Sequence, residues 1–262
     1  MYRIYISTFN KKVLKVKYGV PIEVGAVNRN QFCYSLRDNT GDNISSKNPY
    51  YGELTGLYWV WKNTNFADDD VIGFCHYNKC LDINKEKAIW WLAENPTGMI
   101  TLIPGKIRNH PVPKECNAVF SVLQENYPKY YDACRKLFDS ELASLYPNNR
   151  GGSMFICKGK TLKLYCAWLF PVLEKIRELV GDKPNADAYW KRYCAYIAER
   201  LLSVYIDANQ LPALGVNVRL KKWWIPILGD LRKVLGISKK NKLYQLFYTK
   251  LGYHSSYKNN GN

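Results

Sequence analysis

The sequence lacks the long apolar runs of a membrane-spanning protein. No run approaches the roughly 18 apolar residues that a transmembrane helix needs. The opening stretch, MYRIYISTFNKK, alternates like a strand and lacks the continuous apolar core of a secretory signal peptide. We therefore expect a cytoplasmic protein whose eight cysteines are reduced and act mostly as small, buried hydrophobic residues.

Paired metal-binding cysteines are also missing. Cys75, His76 and Cys80 are residue types that bind zinc, but no second cysteine pair follows to complete a structural site. Cys75 already fits the apolar pattern of a buried strand, which accounts for it without a metal. The sequence therefore favours buried thiols over a zinc site.

Acidic residues are scarce relative to basic ones. The chain has 38 Lys and Arg against 22 Asp and Glu, a net charge of +16, which implies an anionic partner such as a nucleotide, a nucleic acid or a lipid surface. A nucleic-acid-binding protein would spread this charge over one folded face. The charge instead concentrates near the C-terminus, and no recognised nucleic-acid motif is present, so we expect no nucleic-acid partner.

The apolar patterns predict alternating strands and helices. In the stretch 48–63, Asn48 can cap a helix, Pro49 suits its first position, and apolar residues recur at helical spacing. This order predicts a three-layer α/β/α sheet with a helical C-terminal half. Strands are expected at 3–8, 71–75, 99–103 and 153–157, and helices at 48–63, 85–94, 115–126, 128–145, 160–180 and 187–208.

Polar residues follow the strand predicted at 71–75. His76, Tyr77, Asn78 and Lys79 come at its carboxyl end, where open α/β sheets bind their ligands. Since the residues before them are apolar, the strand should be buried and should deliver this polar group to one edge of the sheet. The group is predicted to contact a charged substrate.

A polar loop, RDNTGDNISSKN, leads into the helix predicted at 48. On composition alone it is a solvated loop, but the amide groups at a helix N-terminus favour a phosphate. The side chains of Asp38, Asp42 and Asn43 suit ribose or sugar hydroxyls, and the carboxylates also suit a divalent ion. The loop therefore fits a nucleotide-sugar donor better than a simple anion.

These segments resemble a known family. The stretches DNTGDNIS, ELTGLYWVWKN, IGFCHYNK, MFI, YCAWLFPVL and ERLL, spread over about residues 2–208, are similar to bacterial glycosyltransferases of capsular or exopolysaccharide biosynthesis, which resemble GT-A (Rossmann-like) enzymes. The family pattern resembles CHYRRY where this chain has CHYNKC, and NMF where it has SMF. Asn78 thus replaces an arginine, and Ser153 replaces an asparagine.

The resemblance implies transfer of a sugar from a UDP-sugar to a lipid-linked glycan acceptor, as in capsular, exopolysaccharide or O-antigen synthesis. Some relatives resemble galactofuranosyltransferases, so galactofuranose and galactose are the expected sugars. GT-A enzymes usually bind a metal through Asp-x-Asp after a central strand, whereas this chain has His76 to Lys79 there. Mn²⁺ or Mg²⁺ is therefore an optional cofactor. The two replacements also leave open a catalytically inactive member that serves as an assembly subunit.

The reaction needs a base to deprotonate the acceptor hydroxyl. Glu199 lies on an otherwise apolar helix face, which suits either catalysis or a pair with a buried arginine, and His76 and Asp187 are the other catalytic candidates. Glu53, at the start of the helix after the polar loop, is a candidate for the hydroxyls of the donor sugar. Arg200, next to Glu199, is a further donor-binding candidate.

The C-terminal segment mixes aromatic and basic residues. From residue 208 onward there are ten Lys and Arg and one acid, Asp230. Trp223 and Trp224 next to such cations indicate a helix that lies in the plane of an anionic membrane, and the alternative is a packed terminal helix with a solvated basic face. We expect a catalytic domain at 1–212 and a membrane-associating extension at 213–262, which would place the protein on the inner face of the cell membrane.

Overall fold

The computed structural model describes residues 1–9, 11–104, 115–138, 152–183 and 191–220. A mixed eight-stranded sheet forms the centre of the fold in these residues. Residues 1–220 belong to one compact unit. The strands are β1 (Tyr2–Thr8), β2 (Gly19–Glu23), β3 (Val71–His76), β4 (Lys79–Leu81), β5 (Met99–Leu102), β6 (Phe155–Lys158), β7 (Ala213–Val216) and β8 (Val218–Leu220).

The strand order is β2-β1-β3-β6-β5-β7, and β4 pairs with β3 and β8. β1 runs parallel to β2 and β3, while β6 runs antiparallel to β3 and β5. Ser7 of β1 therefore pairs with His76 of β3. The carboxyl ends of these two strands meet at one edge of the sheet, which is where a ligand site is expected.

Helices cover both faces of the sheet. They are α1 (Asn48–Tyr51), α2 (Leu54–Asn63), α3 (Lys85–Glu94), α4 (Cys116–Asn126), α5 (Tyr131–Phe138), α6 (Gly159–Val180) and α7 (Tyr193–Ala208). Within the described ranges, none of these helices has the length and apolar character needed to cross a membrane.

The core lies in two layers because side chains alternate between the faces of a strand. Tyr5 and Phe74 belong to a large cluster with side chains of α2, α6 and α7, such as Leu201. Ile4 belongs to a smaller cluster on the opposite face, which includes Leu92 of α3. This arrangement is the three-layer α/β architecture predicted from the sequence.

Most predicted elements are confirmed within one or two residues. The strands expected at 3–8, 71–75, 99–103 and 153–157 are β1, β3, β5 and β6, and α3 has the predicted bounds of 85–94. The helix expected at 128–145 begins as a 3₁₀ turn at Pro128–Tyr130 and continues as α5, while residues beyond 138 lie outside the described ranges. The start of the helix expected at 187–208 lies outside them as well.

The helix predicted at 48–63 is broken in the structure. Gly52, with a φ of +53°, ends α1, and α2 begins at Leu54. The predicted capping role of Asn48 is also wrong, since its side-chain amide donates to the carbonyl of Gly52 at 2.7 Å and to the hydroxyl of Thr55 at 3.1 Å. Glu53 consequently lies at the break between the two helices.

The short strands at the C-terminal end of the described chain move the predicted domain boundary. β7 pairs with β5, and β8 pairs with β4, so residues 213–220 belong to the central sheet rather than to an extension. The boundary predicted at 212 is therefore wrong by about eight residues. The predicted membrane helix with Trp223 and Trp224 lies outside the described residues.

The cysteines fit the prediction of buried thiols, apart from two. Cys33 is exposed and Cys116 is partly buried. The other six are buried and unpaired by disulfides. Cys75 and Cys80 belong to the smaller core cluster, as the apolar strand pattern predicts.

Candidate active site

A cavity of about 550 Å³ opens at the carboxyl edge of β1 and β3. Its wall also includes the break between α1 and α2 and the beginning of α7. It brings together five predicted site residues from three parts of the sequence: Glu53, His76, Tyr77, Lys79 and Glu199. Lys191 and Arg192, which were not predicted, complete the charged part of the wall.

His76 ends β3 and reaches the cavity as a neutral side chain. Burial lowers the pKa of His76 to about 4; the negative charge of Glu53 opposes this shift, and Lys79 and Arg192 reinforce it. Its Nε2 atom is buried and has no hydrogen-bond partner among the described residues. A neutral imidazole with an unused nitrogen can hydrogen-bond a ligand, but the positive charge predicted at this strand end comes from Lys79.

Glu53 is a buried, ionised carboxylate. Only 7% of the residue is exposed, and its Oε2 accepts a hydrogen bond from Nη2 of Arg192 at 2.9 Å. Burial by itself would raise the pKa of Glu53, but the nearby His76 and Arg192 lower it, and the balance leaves the pKa below that of an ordinary glutamate. Since His76 is neutral near pH 7, Arg192 is the main partner of this carboxylate there.

Glu199 has the opposite shift. Burial, and after it the negative charge of Glu53, raises the pKa of Glu199 above its usual value, although Lys79 opposes the change. Two carboxylates whose pKa values move apart in one cavity typically divide the roles of proton acceptor and fixed anion. The arrangement makes Glu199 the better proton acceptor and Glu53 the permanent negative charge.

The helical spacing of α7 brings an unpredicted residue, Arg192, to the site. Arg192, Tyr196 and Glu199 follow an i, i+4, i+7 spacing and all line the cavity. The amide of Tyr196 donates to the carbonyl of Arg192, so the helical turn already includes residue 192. This spacing around the predicted Glu199 was the available indication of Arg192 as a site residue.

Arg200 does not lie in the cavity wall, and its predicted donor-binding role stays a prediction. The residue is 6% exposed, and its Nη1 donates to the carbonyl of Tyr196 at 3.2 Å. Successive residues of a helix differ by about 100° in direction, so Glu199 and Arg200 cannot both face the cavity. Arg200 therefore belongs to the helix packing.

Asp38 has a structural role in the loop, while its predicted donor-binding role stays a prediction. It is fully buried and accepts hydrogen bonds from the amides of Gly25 and Ala26 and from the hydroxyl of Ser45, at 2.8, 3.0 and 2.6 Å. Its two carboxylate oxygens are thus occupied by the chain itself. Asp38 orders the loop between β2 and α1.

Three further predicted donor-binding residues lie away from the cavity. Asp42 accepts a hydrogen bond from the hydroxyl of Tyr58 at 3.0 Å, and the amide of Asn43 donates to the carbonyl of Gly41 at 2.9 Å. Asn78 lies in the turn between β3 and β4 and does not line the cavity. Donor binding by these three residues stays a prediction, and Asp187 lies outside the described residues.

The cavity does not fit a divalent cation. In the described part of the chain, no group of three or more His, Cys, Asp or Glu side chains is arranged to hold a metal ion. Glu53 is already paired with Arg192, and Lys79 lies on the same wall. The positive charges of Lys79 and Arg192 oppose the binding of a metal cation next to them.

The mixed sheet between helical layers, with its cavity at the carboxyl ends of β1 and β3, is a GT-A-like fold. The chain belongs to the family described as domain of unknown function DUF4422, whose model matches residues 3–104 and 101–210. No curated protein matches the chain.

One similar solved structure is the apo form of the bifunctional glycosyltransferase WbbM. The two share 25% sequence identity with a TM-score of 0.69, over 83% of this chain and 45% of that one. This chain therefore spans less than half the length of that neighbour.

Proposed function

We propose that this protein is a glycosyltransferase that moves a sugar from a UDP-sugar donor to a hydroxyl group of a glycan. The observation that carries the proposal is the pair of carboxylates Glu53 and Glu199, which share one cavity and whose pKa values shift in opposite directions. The similarity to the bifunctional glycosyltransferase WbbM and the GT-A-like fold support the same class of reaction.

Glu199 is the proposed general base. As the acceptor hydroxyl attacks the anomeric carbon, its proton passes to the carboxylate of Glu199, and a new glycosidic bond forms. The bond from that carbon to the donor's diphosphate breaks, and its electron pair leaves with the diphosphate. A raised pKa suits this role, because a carboxylate closer to the operating pH is a stronger proton acceptor.

His76 at the end of β3 and Lys79 at the start of β4 are the proposed donor contacts. Lys79 supplies positive charge near the diphosphate, while the unused Nε2 of His76 supplies a hydrogen bond. A buried polar atom without a hydrogen-bond partner destabilises the protein. A polar group of the nucleotide-sugar that pairs with Nε2 of His76 removes this cost, which favours its binding. Tyr77, on the same wall, would add contacts to the donor.

The finer parts of the proposal concern the sugars and the membrane. We propose galactofuranose or galactose as the transferred sugar and a lipid-linked glycan of capsular, exopolysaccharide or O-antigen type as the acceptor, on the strength of the family resemblance. The basic and aromatic segment after residue 220 would bring the protein to the inner membrane surface, where such an acceptor is found.

The experiment that tests the proposal is a panel of nucleotide-sugars with the full-length protein. Release of UDP from each donor is measured with and without glycan acceptors, and calorimetry measures the binding of UDP, ADP and GDP. We expect saturable binding of UDP and hydrolysis or transfer with one UDP-sugar. Failure to bind UDP contradicts the proposal, whereas tight UDP binding without turnover on any donor supports the inactive assembly subunit that Asn78 and Ser153 suggest.

A further inference from the structure

Gly52 provides the space in which the guanidinium group of Arg192 lies. A Cβ atom at residue 52 would be 2.7 Å from Nη2, 3.1 Å from Nε and 3.3 Å from Cζ of Arg192. Three atoms of the guanidinium group thus lie against the backbone at the break between α1 and α2. The φ of +53° at Gly52 is a left-handed value that favours glycine, so the break and the space depend on the same residue.

Glu53 accepts a hydrogen bond from one nitrogen of this guanidinium group and leaves its other N–H donors available. Nη2 of Arg192 donates to Oε2 of Glu53 at 2.9 Å, and 44% of the arginine side chain is exposed while the glutamate is buried. A guanidinium group has five N–H donors. Nε of Arg192 is buried and has no hydrogen-bond partner in the described ranges. Arg192 therefore enters the cavity wall with donors to spare.

The surrounding charge favours an anion at this place. Lys79 and Lys191 line the same cavity, and His76 is neutral near pH 7. Glu53 and Glu199, which also line the cavity, offset about two of the three positive charges when both are ionised, so the wall keeps a small positive excess. A planar guanidinium fork matches two phosphate oxygens, and its hydrogen bonds to anions are stronger than those between neutral groups.

We propose that Arg192 is a catalytic residue that binds the diphosphate of the donor and stabilises it as it leaves, with Gly52 and Glu53 as the residues that position it. This inference rests on the proposed glycosyl transfer. When the bond between the anomeric carbon and the diphosphate breaks, the electron pair moves to a phosphate oxygen. The guanidinium group, which stays protonated throughout, donates hydrogen bonds to that oxygen, so the added charge is met without a metal.

The main test compares UDP with uridine as calorimetric probes of the full-length protein. Arg192→Ala is expected to weaken UDP binding by about 10- to 100-fold and uridine binding by less than about twofold, because only UDP carries the diphosphate. Arg192→Lys keeps the positive charge but loses the planar guanidinium group. Its affinity for UDP is expected to lie between those of the wild-type protein and Arg192→Ala. Turnover should fall in the same order.

A second variant displaces the guanidinium group without removing its charge. Gly52→Ala places a methyl group in the space that Arg192 occupies and is expected to weaken UDP binding selectively as well. Gly181→Ala is the matched control, since Gly181 also has a positive φ of +71° but its added Cβ would meet no atom within 4 Å. This control carries the backbone strain alone and should keep the affinity for UDP.

The outcomes separate this inference from the proposed function. If the wild-type protein binds no UDP, the proposed glycosyl transfer fails. If the wild-type protein binds UDP but Arg192→Ala leaves the ratio of UDP to uridine affinity unchanged, only the inference about Arg192 is overturned. An equal loss of both affinities is one such case, and it would show that Arg192 has a structural role. Should Arg192→Ala unfold, Arg192→Lys and Gly52→Ala give the same comparison.

Discussion

Nη2 of Arg192 donates a hydrogen bond to Oε2 of Glu53 at 2.9 Å, and this contact joins the beginning of α7 to the break between α1 and α2. The two residues are 139 positions apart in the chain. The contact keeps Glu53 ionised inside the cavity, and the charge of Glu53 in turn helps to raise the pKa of Glu199. One ion pair thus connects the proposed donor side of the site to its proposed base.

Glu199→Gln is expected to reduce turnover by about 10²- to 10⁴-fold, because the amide cannot accept the proton of the acceptor hydroxyl. UDP binding should change little, since the base faces the acceptor rather than the diphosphate. Steady-state transfer and calorimetry on the same preparation measure the two effects. Glu125→Gln, on an exposed part of α4, is the matched control, and equal activity of both variants would remove Glu199 from the mechanism.

The depressed pKa of His76 predicts a pH-dependent stability. The unfolded chain binds a proton near pH 6.5 and the folded chain only near pH 4, so the unfolded state holds more protons between these values. The free energy of unfolding should therefore fall as the pH is lowered from about 6.5 to about 4.

Urea titrations across this pH range, compared between the wild-type protein and His76→Gln, isolate the contribution of His76. Glu53, Lys79 and Arg192 face His76 and are present in both proteins. The difference should reach roughly 3 kcal/mol at the acid end. Parallel pH profiles of the two proteins would show that the imidazole is not buried in its neutral form. The same substitution should lower turnover by about 10²-fold at neutral pH.

Removal of divalent metals is expected to leave activity at least partly intact. The cavity wall includes Lys79 and Arg192, and in the proposed mechanism these positive side chains stabilise the diphosphate. Turnover is measured after treatment with EDTA and again after addition of Mn²⁺. Complete loss of turnover with EDTA, followed by recovery with Mn²⁺, would contradict this prediction. The carboxylate of Asp42 in the polar loop would then be a candidate metal ligand.

Asp38→Ala is expected to destabilise the fold by roughly 2–4 kcal/mol, because two buried amides and a hydroxyl lose their acceptor. Asp42→Ala is the control from the same loop, and its exposed side chain should contribute less than about 1 kcal/mol. Denaturant unfolding of both variants measures the difference. Similar values for the two would show that the loop does not depend on Asp38.

Truncation after Leu220 is expected to abolish binding to anionic vesicles and to spare UDP affinity. The cut belongs after residue 220 because β8 pairs with β4, where Leu220 lies opposite Lys79 of the cavity. Vesicle sedimentation at low and high salt measures the binding, since the Debye length falls to about 3 Å at 1 M salt.

The double variant of Trp223 and Trp224 to Ala should remove the fraction that resists salt, because indole rings insert at the headgroup boundary. It keeps the basic residues, so it separates insertion from electrostatic attraction. If the truncated protein sediments with the vesicles as well as the full chain, residues 1–220 contain the membrane contact.

Local patterns in the sequence determined the main strands, most helices and the polar group at the end of β3. Apolar residues of β1, β3 and β5 repeat in runs that suit buried strands, and Asn84 caps α3 through the amide of Lys87. These features depend on neighbouring residues, so they can be read along the chain. The placement of His76 at a strand end followed from the same patterns.

The tertiary structure decided what depends on distant partners. β4 and β8 have three residues each, too few to show an alternating pattern, and only their pairing across the sheet makes them strands. The sequence placed Asp38 in a polar loop as a candidate donor-binding residue. In the structure its carboxylate is buried and accepts hydrogen bonds from the amides of Gly25 and Ala26. Gly52 interrupts an otherwise good helix pattern, and the guanidinium group of Arg192, from far along the chain, lies where a side chain at residue 52 would be.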